Sequence, residues 1–131
     1  MENIKIDQTI KTPGIDFNAQ SGVLRIIGRA IPENPEEFFS GILQWVKEYF
    51  KNPVQPTYIN FQLEYVNSGS SKFILEFFHI IQENIKKGYD CKVKWYYEED
   101  DEAILELGKH YQSLLEIPFK LIELYQDDEE H

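Results

Sequence analysis

The chain has 131 residues, 42% of them hydrophobic and 15% aromatic, with 23 acidic against 13 basic residues and a formal net charge of -10. This is enough for one domain with its own core, and the single cysteine, Cys91, excludes an internal disulfide framework. The acidic balance argues against a nucleic-acid or anionic-membrane surface. No run approaches the roughly 18 apolar residues of a membrane span, and Met1 to Lys11 lacks the apolar segment of a signal peptide, so a cytoplasmic protein without membrane insertion is expected.

Taken in order, Met1 to Thr12 is polar with a weak alternation at Ile4 and Ile6, and reads either as a lead-in or as an extra edge strand. Ile15 and Phe17 alternate with polar neighbours, Ala19 to Gly22 turns, and Val23 to Arg29 forms a second strand, which implies an antiparallel hairpin. Pro32 and Pro35 interrupt regular structure. Asn34 is placed as an N-cap before Pro35 at the first helical position, and Glu36 and Glu37 complement the helix dipole. Phe38, Phe39, Ile42, Trp45, Val46, Tyr49 and Phe50 supply the apolar stripe of a helix that ends near Pro53.

The central stretch follows. Ile59, Phe61, Leu63 and Tyr65 alternate with Asn60, Gln62 and Glu64 as a strand with one buried face. Asn67 to Ser71 reads as a polar, hydroxyl-rich loop. A helix with Phe73, Ile74, Phe77, Phe78, Ile81 and Ile85 on one side comes next and stops at Lys87-Gly88, with glycine as its cap. Val93, Trp95 and Tyr97 define another strand, with Tyr96 facing the other way. The acidic run Glu98 to Glu102 leads into a shorter helix through Ile104, Leu105, Leu107 and Tyr111. After Pro118, Phe119, Leu121 and Leu124 mark a last strand with Ile122 out of phase. The whole chain, 1–131, reads as one domain with a core from about 12 to 124 and an acidic tail over 126–131 that is expected to be disordered. Strands alternating with helices after a hairpin predict an α/β fold: a mixed, mostly parallel sheet with about three helices packed on it.

In such a sheet the strand-to-helix loops open on one edge, so Ile31 to Asn34, Asn67 to Ser71 and Glu98 to Asp101 are expected to meet. The serine loop is not a phosphate-binding loop of the GxxxxGK[ST] kind, because Ser71 precedes Lys72 and Phe73 follows it. Its hydroxyls still lie at a helix start, where unpaired N–H groups and the dipole favour an anion or an added phosphoryl group. The plainer reading is that Asn67 or a serine only caps the helix. The acidic run can bind Mg²⁺ or Ca²⁺, or serve a small metal-dependent enzyme. It lacks the spacing of a calcium loop, and acids at a helix start are more often solvated, dipole-compensating residues. His79 and His110 fall within helices and His131 is terminal, so no histidine reaches the expected site edge, and Cys91 reads as structural rather than as an activated thiolate.

Four stretches in order carry a resemblance: GVLRIIGRAIPEN, FFSGILQWVKEYF, FQLEYVNSGSSK and VKWYYEEDDEAILELG. Together they resemble the SiaC family of bacterial regulatory phosphoproteins, collinearly from about Thr12 to Leu124, and the element order is similar to the STAS domain of anti-sigma-factor antagonists. The resemblance implies a protein without catalysis or cofactor of its own. It would be phosphorylated by a cognate serine/threonine kinase, dephosphorylated by a PPM-type phosphatase, and bound in its unmodified form to an effector such as a diguanylate cyclase. Carried over by position, the acceptor is Ser68 next to Asn67, where many members have threonine, with Ser70 and Ser71 as alternatives. Asn67, Gly69, Lys72, Glu33, Asn34, Glu99, Asp100 and Asp101 make up the surrounding loop and partner surface. A structural adaptor without a switch is the remaining alternative.

Overall fold

The structure, a computed structural model, describes residues 1–125; the expected acidic tail over 126–131 lies outside the described residues. Nine elements follow in order: β1 Ile4–Ile6, β2 Gly14–Asn18, β3 Val23–Ala30, α1 Pro35–Tyr49, β4 Thr57–Val66, α2 Ser68–Lys86, β5 Cys91–Glu98, α3 Glu102–Leu114 and β6 Phe119–Leu124. The weak alternation at the N-terminus is thus an edge strand, pairing Ile4 with Phe17 and Ile6 with Ile15.

The six strands lie in sequence order across one sheet. β2 pairs antiparallel with both β1 and β3, and β3 to β6 are parallel. That order has a geometric consequence. Each of the three crossovers moves one place in the same direction, and right-handed crossovers that all step the same way put their helices on the same face. One face of the sheet is therefore covered and the other is open.

Strand alternation sends Phe17, Leu24, Ile26, Ile59, Phe61, Val93 and Trp95 into the covered side, each at most 4% exposed. The centre is aromatic. The Phe61 ring lies 5.7 Å from Phe77, 5.1 Å from Phe78 and 5.3 Å from Trp95, tilted rather than face to face, as the ring quadrupoles favour. Trp95 also donates its indole N–H to the carbonyl of Ile104 at 2.9 Å, which ties the start of α3 to β5. The C-cap of α2 is Lys87, with Gly88 following at φ 108, and the N–H groups of Gly88 and Tyr89 close back on Ile85 and Asn84.

Two details differ from the pattern read in the sequence. Ile122 pairs with Tyr96 and Leu124 with Glu98, so Leu124 shares the phase of Ile122 rather than that of Phe119 and Leu121. The helix after the central strand begins at Ser68 and not beyond Ser71. Among the described residues no helix is long and apolar enough to cross a membrane.

Candidate functional site

The carboxyl ends of β3 and β4 bring two helix starts together. Asn34 caps α1 by accepting from the Glu37 N–H at 3.2 Å, with Pro35 at the first helical position. Asn67 caps α2 by accepting from the Ser70 N–H at 2.9 Å. The Asn67 side chain also donates through Nδ2 to the Pro32 carbonyl at 3.1 Å, and its backbone N–H donates to the Ala30 carbonyl at 3.0 Å. One residue thus ends a strand, starts a helix and fastens the neighbouring loop. Gly69 completes the junction, because a Cβ there would stand 2.8 Å from Pro35 Cγ.

The serines, expected in a loop, are instead the first turn of α2, and they have three different surroundings. Ser68 is exposed. Ser70 is fully buried, and its hydroxyl has no hydrogen-bond partner. Ser71 is half-buried, with its Oγ 2.9 Å from the Tyr111 phenol, which also donates to the Ser71 carbonyl at 3.0 Å. A phenol has one hydrogen, so the Ser71 hydroxyl is the donor in the first of these bonds. Burial pushes the Tyr111 phenol up to about 12, against a smaller lowering by the bond to Ser71.

The N–H of Ser70 is taken by the Asn67 side chain and that of Ser71 by the Asn67 carbonyl, at 2.9 Å each. The N–H groups of Ser68 and Gly69 have no acceptor among the described residues. α1 carries Glu36 and Glu37 in its first turn and α3 carries Glu102, whereas α2 carries no acid in its first turn. Its positive end is left uncompensated at the exposed serine.

The third loop lines a hollow of its own. Glu98, Asp100 and Asp101 gather with Glu64 and Tyr65 around a concavity of about 430 Å³ at the ends of β4 and β5, while Glu99 is exposed outside it. Asp101 is the N-cap of α3, accepting from the Ile104 N–H at 3.1 Å, so one carboxylate is already engaged. Among the described residues no three His, Cys, Asp or Glu side chains are close enough to hold a metal ion. Glu33 is paired with Lys11 at 3.1 Å in the open, and Lys72 is exposed without an ion pair among the described residues. His79 and His110 are exposed on helix surfaces. Cys91 is buried, and burial, with Asp90 adding, pushes its thiol up to about 11, the opposite of an activated thiolate.

Two participants were not legible as such. Tyr111 falls in the apolar stripe of α3 and reads as core, and nothing in the local sequence points its hydroxyl toward Ser71. Pro35 reads only as a helix start, although it is also the surface on which Gly69 rests.

The fold and this edge are those of a small regulatory protein. The chain belongs to the SiaC family: residues 6–124 match the model described as SiaC family regulatory phosphoprotein. An uncharacterised protein of Pseudomonas aeruginosa strain UCBPP-PA14 is 26% identical over 121 residues, covering 92% of this chain and 96% of the relative. The crystal structure of apo-SiaC from Pseudomonas aeruginosa superposes with a TM-score of 0.86 at 26% identity, covering 93% of this chain and 99% of that one. The structure of the diguanylate cyclase SiaD in complex with its activator SiaC, from the same organism, matches with a TM-score of 0.87 at 26% identity, covering 92% of this chain and 99% of that one. The family's role is regulatory rather than catalytic.

Proposed function

We propose that this chain is a phosphorylation-controlled partner switch with Ser68 as the acceptor, and that its unmodified form binds and activates a diguanylate cyclase. The observation that carries this reading is the position of Ser68: exposed, first in α2, on a helix start that has no acid of its own. Ser70 is closed off by burial, and the Ser71 hydroxyl is committed to Tyr111. The relationship to an activator of a diguanylate cyclase supports the choice of output partner.

The chemistry follows from charge. Unmodified Ser68 is small and neutral and fits beneath a partner surface. A phosphoryl group adds about -1.5 to -2 charge, which the free N–H groups of Ser68 and Gly69 and the helix dipole stabilise. The same charge repels a partner surface that is acidic or must be desolvated, so one modification by a serine/threonine kinase releases the partner and a PPM-type phosphatase restores it.

The test combines intact-mass analysis with site mapping on protein isolated from its native cells, and binding of each form to a purified diguanylate cyclase. The expected result is one added phosphoryl group on Ser68, loss of cyclase binding in that form, and retained binding by Ser68→Ala. Modification mapped elsewhere, or equal cyclase binding by both forms, would sink the proposal.

A further inference from the structure

The two edges of the sheet are unlike. β1, at one edge, has three residues, whereas β6, at the other, has six, with no proline among them and no break in its register with β5. Short edge strands, prolines and bulges are how folded proteins keep a sheet edge from pairing with another chain, so β6 is the less protected of the two.

One bond fixes the direction of the backbone groups of β6. The Val93 N–H donates to the Pro118 carbonyl at 2.9 Å, and Val93 pairs with Phe119. In a parallel ladder that pattern turns Lys120, Ile122 and Leu124 towards β5, and Phe119, Leu121 and Glu123 outwards. Gln112 agrees with it, since its side-chain amide reaches over the edge and donates to the Phe119 carbonyl at 2.9 Å. Among the described residues the outward N–H and C=O groups of Leu121 and Glu123 have no partner.

We infer that β6 pairs antiparallel with β6 of a second copy, about a two-fold axis that passes through Ile122 perpendicular to the sheet. In this register Leu121 stands opposite Glu123 of the second copy, and such a pair exchanges both its hydrogen bonds, so the free groups are used in full. The neighbouring registers fail. An axis at Leu121 needs the Phe119 carbonyl, which Gln112 already holds, and an axis at Glu123 sets that carboxylate against itself. On the open face the axis at Ile122 places this half-buried side chain against its own copy, in the close spacing of a non-hydrogen-bonded pair.

Charge fits the same register. Lys120 falls opposite Leu124 of the second copy, and Leu124 pairs on its far side with Glu98. Lys120 and Glu98 of the second copy are then two strand spacings apart, about 10 Å between backbones, within the joint reach of the two side chains. Both are exposed, and among the described residues neither is in an ion pair. The axis repeats this pair. Tyr125, 76% exposed, comes opposite Phe119 of the second copy and gains a neighbour. The strands of the two copies run in opposite directions, so the two Ser68 edges face opposite ways, and the pairing stands whether or not the serine is a switch.

Two chains of net charge -10 repel each other, so the association should be measured at about 0.15 M salt, where the Debye length is about 8 Å. Analytical ultracentrifugation of the full chain up to about 1 mM should show a reversible monomer–dimer equilibrium with a Kd below about 1 mM. Glu123→Pro removes an outward N–H and leaves the ladder to β5 intact, and should raise that Kd at least about tenfold. Lys120→Glu should raise it about tenfold, and Lys120→Glu with Glu98→Lys should recover most of the loss, with circular dichroism confirming the fold of each variant. The charge variants lie on exposed side chains and decide the matter even if Glu123→Pro does not fold. The pairing is overturned if the wild type stays monomeric throughout, if Lys120→Glu or a folded Glu123→Pro dimerises as wild type does, or if the charge swap is no tighter than Lys120→Glu alone.

Discussion

The Tyr111 phenol and the Ser71 hydroxyl stand 2.9 Å apart, and the phenol spends its own hydrogen on the Ser71 carbonyl at 3.0 Å. This double link joins α3 to the first turn of α2, the turn that holds Ser68. Tyr111→Phe should lower stability by about 1–2 kcal/mol at neutral pH, because it leaves the Ser71 hydroxyl without its partner and removes the second bond to the Ser71 carbonyl. A pH effect follows from the same residue. The phenol sits at about 12 in the folded chain against an ordinary 10, so its contribution is fully present below about 10. Between those values the unfolded chain ionises first and the contribution is lost. Urea unfolding of both proteins from pH 8 to 12 should therefore show wild type losing stability more steeply than Tyr111→Phe across that window. Parallel profiles would mean that the phenol is not held in the way described.

Ser70 offers the opposite sign. Its hydroxyl is buried and unpaired in the first turn of α2, so the desolvation of that group is uncompensated. Ser70→Ala removes the group and substitutes a better helix former, and should raise stability by about 0.5–2 kcal/mol. A loss of stability on thermal melting would show that the hydroxyl has a partner after all.

Gly69→Ala sets two effects against each other. Alanine improves helix propensity by at most about 1 kcal/mol, but its methyl would lie 2.8 Å from a proline ring carbon that cannot swing aside. The clash should win, since overpacking typically costs about 1–3 kcal/mol, and the melting temperature should fall. Separating the two helix starts should also move Ser68, so, on the proposed switch, its phosphorylation by a serine/threonine kinase should slow more than stability alone accounts for.

Asn67 allows its two roles to be divided. Asn67→Ala loses the cap and the bond to the Pro32 carbonyl, for about 1–3 kcal/mol together. Asn67→Asp keeps the cap and loses the second bond. It should recover part of that stability in denaturant titrations while adding a negative charge beside Ser68, and so, on the proposed function, weaken binding to a diguanylate cyclase even without phosphorylation.

Much of the fold was legible because it rests on local patterns. The Asn34-Pro35 helix start, the alternation from Ile59 to Leu63, and the placing of Tyr96 opposite Trp95 were all readable and are all found, whereas Tyr65, expected on the buried face, is 59% exposed where the pairing of β3 with β4 shifts register. The start of α2 was not. Serine and glycine favour loops in isolation, and only the capping bonds of Asn67 make Ser68 to Ser71 helical. Long-range relationships were out of reach for a different reason: the contact of Gly69 with Pro35 and the bond of Ser71 to Tyr111 join residues far apart in the chain and depend on the order of the strands. The grouping of the acidic run with Glu64 and Tyr65 was equally out of reach, because it follows from the pairing of β5 with β4.

Sequential right-handed crossovers do more than leave a face open: they align the molecule electrically. Every helix begins at the edge that holds Ser68 and ends at the far one. Glu36, Glu37, Glu98 to Asp101 and Glu102 outnumber Lys72 at the first edge, and Lys47, Lys51, Lys86 and Lys87 outnumber Glu48 and Glu83 at the second. Side-chain charges thus give the protein a lasting asymmetry between two poles, and a phosphoryl group on Ser68 would fall on the negative one. Phosphorylation would therefore do more than block a contact: it would increase the torque that a charged partner exerts before the two surfaces touch. That turning effect weakens as salt shortens the Debye length from about 30 Å at 0.01 M to about 8 Å at 0.15 M.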